Sequence, residues 1–356
     1  MNDRLMRLRA VMDRNGLDAV LLNSLTAIRY FSNFTSIDAT VLVTKKSSVL
    51  VTDFRYTIQA KEQSGDRFTI VEAAASKQLE TLNGVLHDEG CKNVGFEEDT
   101  ISYAQYCDYA KFGVTLVPAA DALNKLRIIK TPEEIESLQK AQSIADAAFV
   151  ELLQTIHSGM TEKRVAAELD YIGAKLGSEG PSFDTIVGSG PNGAMCHAVP
   201  GERKLQNGDL VVLDYGCLWN GYHSDMTRTF AVGDVDDFSK KIYNIVRTAQ
   251  AKALDALRPG LTGKQLDAIA RDYITEQGYG DCFGHSLGHG FGLLIHEAPR
   301  AATTCETVLE EGMTITVEPG IYIEGKLGVR IEDCCVVTKD GKLDLVHSTK
   351  ELQHID

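Results

Sequence analysis

An apolar run that ends in an aspartate constrains the fold of this chain more than any other feature of its sequence. The run at 210–213 leads directly into Asp214, and Asp225 follows eleven residues later, after a turn that contains Gly221. A β-hairpin would bring these two carboxylates together. Two adjacent buried carboxylates are unfavourable unless one is protonated or a cation lies between them. A single aspartate at a strand end is more often a cap or a surface group, but the pair predicts a cation site.

Three histidines lie close together in a glycine-rich segment further along the chain. His285, His289 and His296 fall within twelve residues of the sequence FGHSLGHGFGLLIHEAPR. Glycine destabilises helices, so the spacing of four residues between the first two is not that of a helical zinc-binding pair. Each histidine alone could be an ordinary core or surface residue, whereas three in such a segment favour a functional site.

Two further carboxylates sit in β-like segments near the end of the chain. Glu318 ends the run TITVE, and Glu332 ends GVRIE, where the period of two puts Arg330 on the same face. A salt bridge on an exposed face is the simplest interpretation of the second pair. It does not explain why Val329 and Ile331 make the rest of that segment apolar. A buried functional role is therefore favoured.

Together these residues form an oxygen-rich ligand set of four carboxylates and one histidine. Such a set is too large for one four-coordinate zinc ion and suits two divalent ions that share carboxylates. Two ions about 3.5–4 Å apart can lower the pKa of a water molecule and stabilise the oxyanion of a hydrolysis reaction. Manganese is the first choice for both ions, with cobalt, zinc and iron(II) as alternatives. The predicted ligands are Asp214, Asp225, His289, Glu318 and Glu332.

The chain has 356 residues, which is more than a single hydrophobic core usually supports, so two domains are expected. Residues 1–124 alternate short β-like and helical runs and predict a small α/β domain. Residues 125–130 form the predicted linker. Thr131 and Glu134 have the spacing of a helix capping box, so a second domain is predicted to span 131–356.

The composition argues against some classes of partner. A net charge of −14 does not suit binding to phosphates, so no nucleic-acid partner is expected. No apolar stretch approaches the roughly 20 residues that a membrane span requires, so no membrane partner is expected either. The first ten residues lack the apolar block of a secretory signal, and we therefore expect a cytoplasmic protein.

The segment GSGPNG at 188–193 matches the glycine pattern of dinucleotide-binding loops, and Asp209 follows at about the expected distance of 20 residues. That pattern requires a helix after the loop, because the N-terminus of the helix binds the pyrophosphate. Here the chain runs instead into Pro200 and Gly201. Dinucleotide binding is therefore not predicted.

In their order along the chain, these motifs resemble those of the family that contains aminopeptidase P, prolidase and methionine aminopeptidase. The matching motifs of the second domain are LDYGCLWNGYHSDMTRTF, GHSLGHGFGLLIHEAPR, TVEPGIY and GVRIEDCCVV. In the first domain, YFSNF at 30–34 and TDFRY at 52–56 look like motifs of the proline-specific branch. The resemblance covers nearly the whole chain. It implies an α/β (α+β) fold, in which a creatinase-like N-terminal domain is followed by a catalytic domain with the pita-bread fold.

The resemblance also implies a role for each metal ligand. Asp214 would bind one ion, Asp225 and Glu332 would bridge both, and His289 with Glu318 would bind the other. All five residues are present, whereas non-catalytic relatives of this fold lack the metal set. A catalytically idle, metal-bound binding module is therefore the most distant alternative.

Other site residues follow from the same resemblance. His197 matches a histidine that hydrogen-bonds the tetrahedral intermediate and assists proton transfer, and His285 and His296 match histidines on the substrate side. The implied reaction is attack of a metal-bridging hydroxide on the Xaa-Pro carbonyl, with Glu318 as the proton acceptor. An apolar pocket with His296 would recognise proline. The residues that would contact substrate or order the metal ligands are Arg330 and Tyr322.

The resemblance leaves two substrate classes open. Arg300 matches an arginine that in prolidases pairs with the carboxylate of a C-terminal proline, which favours an Xaa-Pro dipeptidase. Some prolidases have a histidine-containing loop near 34–38, where this chain has only Asp38, and the motifs also suit short aminopeptidase P proteins. An Xaa-Pro aminopeptidase that acts on longer peptides is thus the alternative. In both cases the partners are small peptides with proline in second position, and members of the family commonly form homodimers.

Overall fold

The structure is a computed structural model that describes residues 2–356 and separates into two units, the first of which ends at Arg127. This division falls inside the stretch 125–130, where a linker was predicted from the sequence. A helix, Ala120–Ile128, occupies the first part of that stretch. The segment is helical because its two leucines, three residues apart, are both buried on the inner face of the helix.

The first unit is built on a six-stranded mixed sheet. Its strands are β1 (Ala19–Leu22), β2 (Ala39–Thr44), β3 (Ser48–Thr52), β4 (Thr69–Glu72), β5 (Asn93–Phe96) and β6 (Thr115–Pro118). The order is β4-β3-β2-β1-β5-β6, and only β2 runs antiparallel to its neighbours. Every residue of β1, β2 and β3 is buried, as expected for strands covered on both faces. The helices are α1 (Asn2–Arg14), α2 (Leu25–Ser32), α3 (Thr57–Ser64), α4 (Ala75–Asp88), α5 (Tyr103–Ala110) and α6 (Ala120–Ile128).

The second unit, Ile128–Asp356, combines two pairs of helices with several small sheets. Its helices are α7 (Pro132–Leu152), α8 (Glu162–Lys175), α9 (Asp237–Ala256) and α10 (Gly263–Glu276). Its strands are β7 (Ile186–Ser189), β8 (Leu210–Tyr215), β9 (Leu218–Trp219), β10 (Tyr222–His223), β11 (Met226–Val232), β12 (Gly288–Gly290), β13 (Glu297–Ala301), β14 (Thr314–Val317), β15 (Gly320–Ile323), β16 (Leu327–Arg330), β17 (Asp333–Thr338), β18 (Gly341–Asp344) and β19 (His354–Ile355).

Strand pairing in the second unit places the polar segments of the sequence side by side. The larger sheet has the order β19-β11-β8-β7, and a second one has the order β14-β17-β18. The pairs β12–β13 and β15–β16 complete the strands that surround the site. Apolar side chains of α9 and α10 pack against β14 to β17 in one buried cluster, which holds these strands in place.

Helix α7 begins as its sequence predicts. The side chain of Thr131 accepts a hydrogen bond from the backbone of Glu134, and the Glu134 carboxylate accepts one from the backbone N–H of Thr131. The predicted capping box is therefore confirmed. Among residues 2–356, no helix is both long and apolar enough to cross a membrane.

Candidate metal centre

The two aspartates of the hairpin meet at one end of the larger sheet. Strands β8 and β11 pair antiparallel, with Tyr215 opposite Met226 and Asp214 opposite Thr227. Asp225 directly precedes β11, so both carboxylates lie at the same end of the hairpin. They are buried, with exposed fractions of 8% for Asp214 and 4% for Asp225. The hairpin predicted from the apolar run is confirmed.

The third carboxylate, Glu332, directly precedes β17. The backbone N–H of Glu332 donates to the carbonyl of Thr227 at 3.1 Å, and the Thr227 hydroxyl donates to Glu332 Oε2 at 2.7 Å. The Cys334 thiol donates to the carbonyl of Asp225 at 3.1 Å. These contacts tie the start of β17 to the start of β11.

His289 and Glu318 complete the group from the other side. Nε2 of His289 lies 3.6 Å from Asp225 Oδ2 and 3.3 Å from Glu318 Oε1. One ligand atom each from Asp225, His289 and Glu332 lies within 4.8 Å of the others. No second group of three such side chains this close occurs in the part of the chain that the structure describes. All five predicted ligands, including Asp214, line the same cavity.

Burial controls the protonation of this group. It raises the pKa of Asp225 and of Glu332 well above the usual range, and the neighbouring carboxylates add to the shift. Burial also raises the pKa of Glu318 to about 8. It lowers the pKa of His289 to about 4, so the imidazole is neutral at physiological pH. Without a cation, burial thus favours the protonated forms of Asp225, Glu318 and Glu332.

The unpaired atoms of the cluster fit a divalent cation. Oδ1 of Asp214 and Oε1 of Glu332 are buried and have no hydrogen-bond partner among the described residues. A buried oxygen without a partner costs free energy that a metal ion would recover. His289 Nδ1 lies 3.0 Å from the carbonyl of Gly290, which can only accept, so Nδ1 carries the proton. Nε2 therefore presents its lone pair beside Asp225 and Glu318, as a metal ligand must.

Arg330 orders the carboxylates without offering a ligand atom. Its guanidinium donates to Asp214 Oδ2 at 2.5 Å, to the Thr227 hydroxyl at 3.0 Å and to the Tyr322 hydroxyl at 2.8 Å. Because the Thr227 hydroxyl accepts this bond and donates to Glu332, one arginine fixes two carboxylates. Among the residues that the structure describes, Tyr322 is not one that lines the cavity, and its hydroxyl bonds to Arg330 and His285.

His285, predicted to contact substrate, has a partner at each ring nitrogen. Nδ1 lies 2.8 Å from the carbonyl of Ser286, so this nitrogen carries the proton. Nε2 then accepts from the Tyr322 hydroxyl at 2.9 Å. Burial, followed by the charge of Arg330, lowers the pKa of His285 to about 4. The imidazole is thus placed to order Tyr322, and its predicted substrate contact remains a prediction.

The remaining predicted residues surround a cavity of about 400 Å³. His197 and His296 are exposed at it, and the ring of His296 lies 4.4 Å from that of His289. Arg300 follows on β13 and also lines the cavity. The guanidinium of Arg300 has no hydrogen-bond or ion-pair partner among the described residues. The apolar side chains of the lining are Phe183, Ile186 and Ile295.

Sequence reasoning missed two threonines that hold the ligands. Thr227 connects Glu332 and Arg330, and the Thr316 hydroxyl donates to Glu318 Oε1 at 3.0 Å while it accepts from the backbone N–H of His289 at 3.0 Å. Each threonine lies two residues from a predicted ligand. The strand period of two could have placed both on the face of the site.

Comparisons with known proteins agree with this geometry. Residues 136–339 match the model of metallopeptidase family M24, and residues 4–129 match the creatinase/prolidase N-terminal domain. The chain is 40% identical to the Xaa-Pro dipeptidase of Pyrococcus furiosus over 356 residues, which cover 99% of this chain and 100% of that protein. The predicted family resemblance and the predicted two-domain α/β fold are confirmed.

Solved structures resemble the chain over almost its full length. The Xaa-Pro dipeptidase from Bacillus anthracis superposes with a TM-score of 0.96 at 44% identity and covers 99% of each chain. The X-Pro aminopeptidase from Thermotoga maritima superposes with a TM-score of 0.91 at 36% identity, over 96% of this chain and 98% of the other. The fold is thus shared by both predicted substrate classes.

Proposed function

The chain belongs to metallopeptidase family M24, and from this premise we propose that it hydrolyses Xaa-Pro dipeptides with two divalent metal ions. It is a peptidase, so the alternative of a catalytically idle binding module is set aside. We choose dipeptides over longer peptides because the guanidinium of Arg300 is unpaired at the cavity. It can therefore pair with the carboxylate of a C-terminal proline.

We assign the two ions to the five predicted ligands. Asp225 and Glu332 would be shared, Asp214 would bind one ion, and His289 with Glu318 would bind the other. Their unpaired oxygens and the neutral imidazole support this assignment. When bound, the ions supply a water of lowered pKa and stabilise negative charge on the carbonyl oxygen. Manganese is the first choice, because carboxylate oxygens dominate the set.

The protein's own groups would move the protons. Glu318 lines the cavity and would accept a proton from the attacking water. The nitrogen of a proline peptide bond carries no hydrogen, so it must gain a proton as it leaves. His197, exposed at the cavity, is the group we assign to the developing oxyanion and to this leaving nitrogen.

The cavity must recognise proline by the shape of its ring, because the amide of proline offers no N–H to a hydrogen-bond acceptor. The apolar side chains of Phe183, Ile186 and Ile295 line the cavity, as does His296. We propose that the pyrrolidine ring packs there. The carboxylate of the same proline would then reach Arg300, which restricts the substrate to a dipeptide.

A second candidate function is removal of the first residue from longer Xaa-Pro peptides. The likeness to the Thermotoga maritima X-Pro aminopeptidase favours it, because that structure covers nearly the whole chain. In this case Arg300 would not bind a substrate carboxylate. We also propose that the protein is cytoplasmic and, from the family resemblance, that it is a homodimer whose partners are small peptides.

The test compares a dipeptide, Xaa-Pro, with a tripeptide, Xaa-Pro-Yaa, in the presence of Mn²⁺. We expect the wild type to prefer the dipeptide. Arg300→Ala should raise KM for the dipeptide by about 10-fold to 100-fold, which corresponds to a charge-assisted hydrogen bond of about 1.5–3 kcal/mol. Arg258→Ala, at an exposed arginine outside the cavity, is the matched control and should leave KM unchanged. Preference for the tripeptide would overturn the dipeptidase assignment.

A further inference from the structure

The loop that carries His197 has an exposed tip. It leaves β7 at Ser189, passes through a short 3-10 turn at Gly190–Ala194 and makes a tight turn in which the Ala198 N–H donates to the Met195 carbonyl at 3.1 Å. The imidazole of His197 has no hydrogen-bond partner among the described residues. Its position therefore depends on the backbone of the loop, so the contacts that fix this backbone bear on the reaction.

One carboxylate closes both ends of this loop. Glu162 lies in the first turn of α8 and is fully buried, with an exposed fraction of 0%. Its Oε1 accepts from the backbone N–H of Ser189 at 2.8 Å and from the Ser189 hydroxyl at 2.7 Å. Its Oε2 accepts from the backbone N–H of Gly201 at 3.2 Å. The amide of Asn192 lies 3.1 Å from both oxygens. Glu162 thus contacts both ends of the segment 189–201, which are also held by the Lys163 N–H donating to the Gly201 carbonyl at 3.1 Å and by Arg203 donating to the Ser189 hydroxyl at 2.5 Å.

Two further contacts fix the middle of the loop against β16. A Cβ atom added to Gly328 would come within 1.8 Å of the Gly193 carbonyl oxygen, so only glycine permits this approach. Arg330 donates to the Cys196 carbonyl at 3.1 Å. Within the segment GSGPNG, a Cβ atom added to Gly193 would lie 3.0 Å from the Gly328 nitrogen, and one added to Gly188 would lie 3.0 Å from the Asn192 carbonyl oxygen, so these glycines also allow backbones to pack closely. This accounts for a pattern that resembles a dinucleotide loop but leads into no helix.

We propose that Glu162 is a positioning residue of the reaction, which acts by holding His197 at the cavity. The proposal rests on the proton-transfer role proposed for His197. Glu162 has no hydrogen bond to any of the five metal ligands, so it should affect kcat and leave metal affinity unchanged. A displacement of about 1 Å of a catalytic group can lower the rate by about 100-fold, which sets the scale of the effect.

The central experiment is a double-mutant cycle with Glu162→Gln and His197→Ala. Gln keeps one acceptor oxygen but turns an N–H group toward donors, so the loop loses part of its anchor. We expect Glu162→Gln alone to lower kcat by about 10-fold or more, with KM and Mn²⁺ affinity unchanged. In the His197→Ala background it should lower kcat by less than about twofold, because its effect passes through His197. Equal effects in both backgrounds would overturn the proposal.

The matched control is Glu97→Gln in the first unit. Glu97 is also buried, and its carboxylate accepts two backbone N–H bonds and a hydroxyl bond from Asn23 and Ser24. The substitution therefore removes an equivalent anchor elsewhere and should leave kcat unchanged. If Glu162→Gln does not fold, Asn192→Ala takes its place in the double-mutant cycle with His197→Ala. Asn192 is partly exposed, and its substitution removes the amide contact to Glu162.

A second measurement does not depend on activity. Cys196 lies beside His197, and its alkylation rate by iodoacetamide can be read by mass spectrometry. We expect this rate to rise severalfold in Glu162→Gln but not in Glu97→Gln, while the buried Cys334 and Cys335 stay unreactive. An unchanged Cys196 rate would overturn the anchoring role even if the wild type cleaved no proline peptide. Inactivity of the wild type would instead overturn the proposed function.

Discussion

Glu97 in the first unit and two carboxylates of the candidate metal centre in the second unit are all buried, but their surroundings differ. In the first unit, Glu97 accepts bonds from backbone N–H groups and from the hydroxyl of Ser24. In the second unit, Asp214 and Glu332 each leave one buried oxygen without a partner. The hydrogen bonds to Glu97 stabilise the backbone at Asn23 and Ser24, whereas the unpaired oxygens of Asp214 and Glu332 indicate that a cation binds beside them. The difference shows that partners, more than burial, separate a structural carboxylate from a metal ligand.

The same contrast occurs between neighbours in the sequence. Asp333 pairs with Arg228 at 2.8 Å and with Lys350, and it accepts from Gln250 at 2.8 Å. Despite its burial, these two cations lower the pKa of Asp333. Glu332 has no such pair, and burial raises its pKa well above the usual range. Of these two adjacent carboxylates, Asp333 thus faces two protein cations and Glu332 faces the candidate metal centre.

The largest effect is expected from a substitution of a predicted metal ligand. Asp225→Asn should remove bound metal and lower kcat/KM by more than about 100-fold, since even partners of metal ligands typically account for 10-fold to 100-fold. Metal content by mass spectrometry and Xaa-Pro hydrolysis measure the two losses. A variant that keeps two ions and full activity would show that Asp225 is not a ligand.

A smaller effect is expected from Thr227→Val, which keeps the shape of the side chain. It removes the hydroxyl that donates to Glu332 and accepts from Arg330. Mn²⁺ affinity should fall by about 10-fold to 100-fold, as for other groups that orient ligands. Isothermal titration of the metal-free protein measures it. Thr52→Val, in the first unit, also loses a buried hydroxyl and serves as the control; equal losses would contradict a specific role for Thr227.

Stability should depend on pH differently with and without metal. In the metal-free protein, the pKa of Glu318 is about 8 against an ordinary value of 4.5, so this group stabilises the folded state fully below pH 4.5. That contribution is lost as the pH rises through about 8. Because metal replaces the proton, Mn²⁺ should raise Tm more at pH 8 than at pH 5. At a free Mn²⁺ concentration of about 100 times Kd, binding should raise the free energy of unfolding by about 2.7 kcal/mol. A gain that does not depend on pH would contradict this linkage.

The smallest effect on the site is expected from the structural carboxylate. Glu97→Gln should lower the free energy of unfolding by about 1–3 kcal/mol, because buried donors lose an acceptor. Metal content and kcat should not change. Urea denaturation monitored by circular dichroism measures the stability. Loss of bound metal in this variant would break the distinction between the two kinds of carboxylate.

Local patterns predicted the parts of the fold that depend on neighbours in sequence. The apolar run before Asp214 and the turn at Gly221 were sufficient to predict the hairpin, and the spacing of Thr131 and Glu134 was sufficient to predict the start of α7. The boundary at 125–130 was harder to predict, because the sequence of this short segment does not show whether it ends a helix or links two domains when the core that Leu126 contacts is unknown.

Contacts that depend on register across strands could not be predicted. Thr227 and Arg330 are 103 residues apart, and their hydrogen bond follows from the packing of β11 beside β16. In the same way, a lone histidine in a loop offers no sequence signal, so His197 was predicted from family resemblance alone. The pair of nitrogen contacts at His285 became visible only in three dimensions.

The most direct test of the central claim is a count of metal ions against activity. Metal-free protein is titrated with Mn²⁺ while bound ions and Xaa-Pro dipeptide hydrolysis are measured together. We predict that hydrolysis reaches its maximum at two ions per chain and is absent from the metal-free protein. Full hydrolysis without metal, or saturation at a single ion, would contradict the proposed two-metal site.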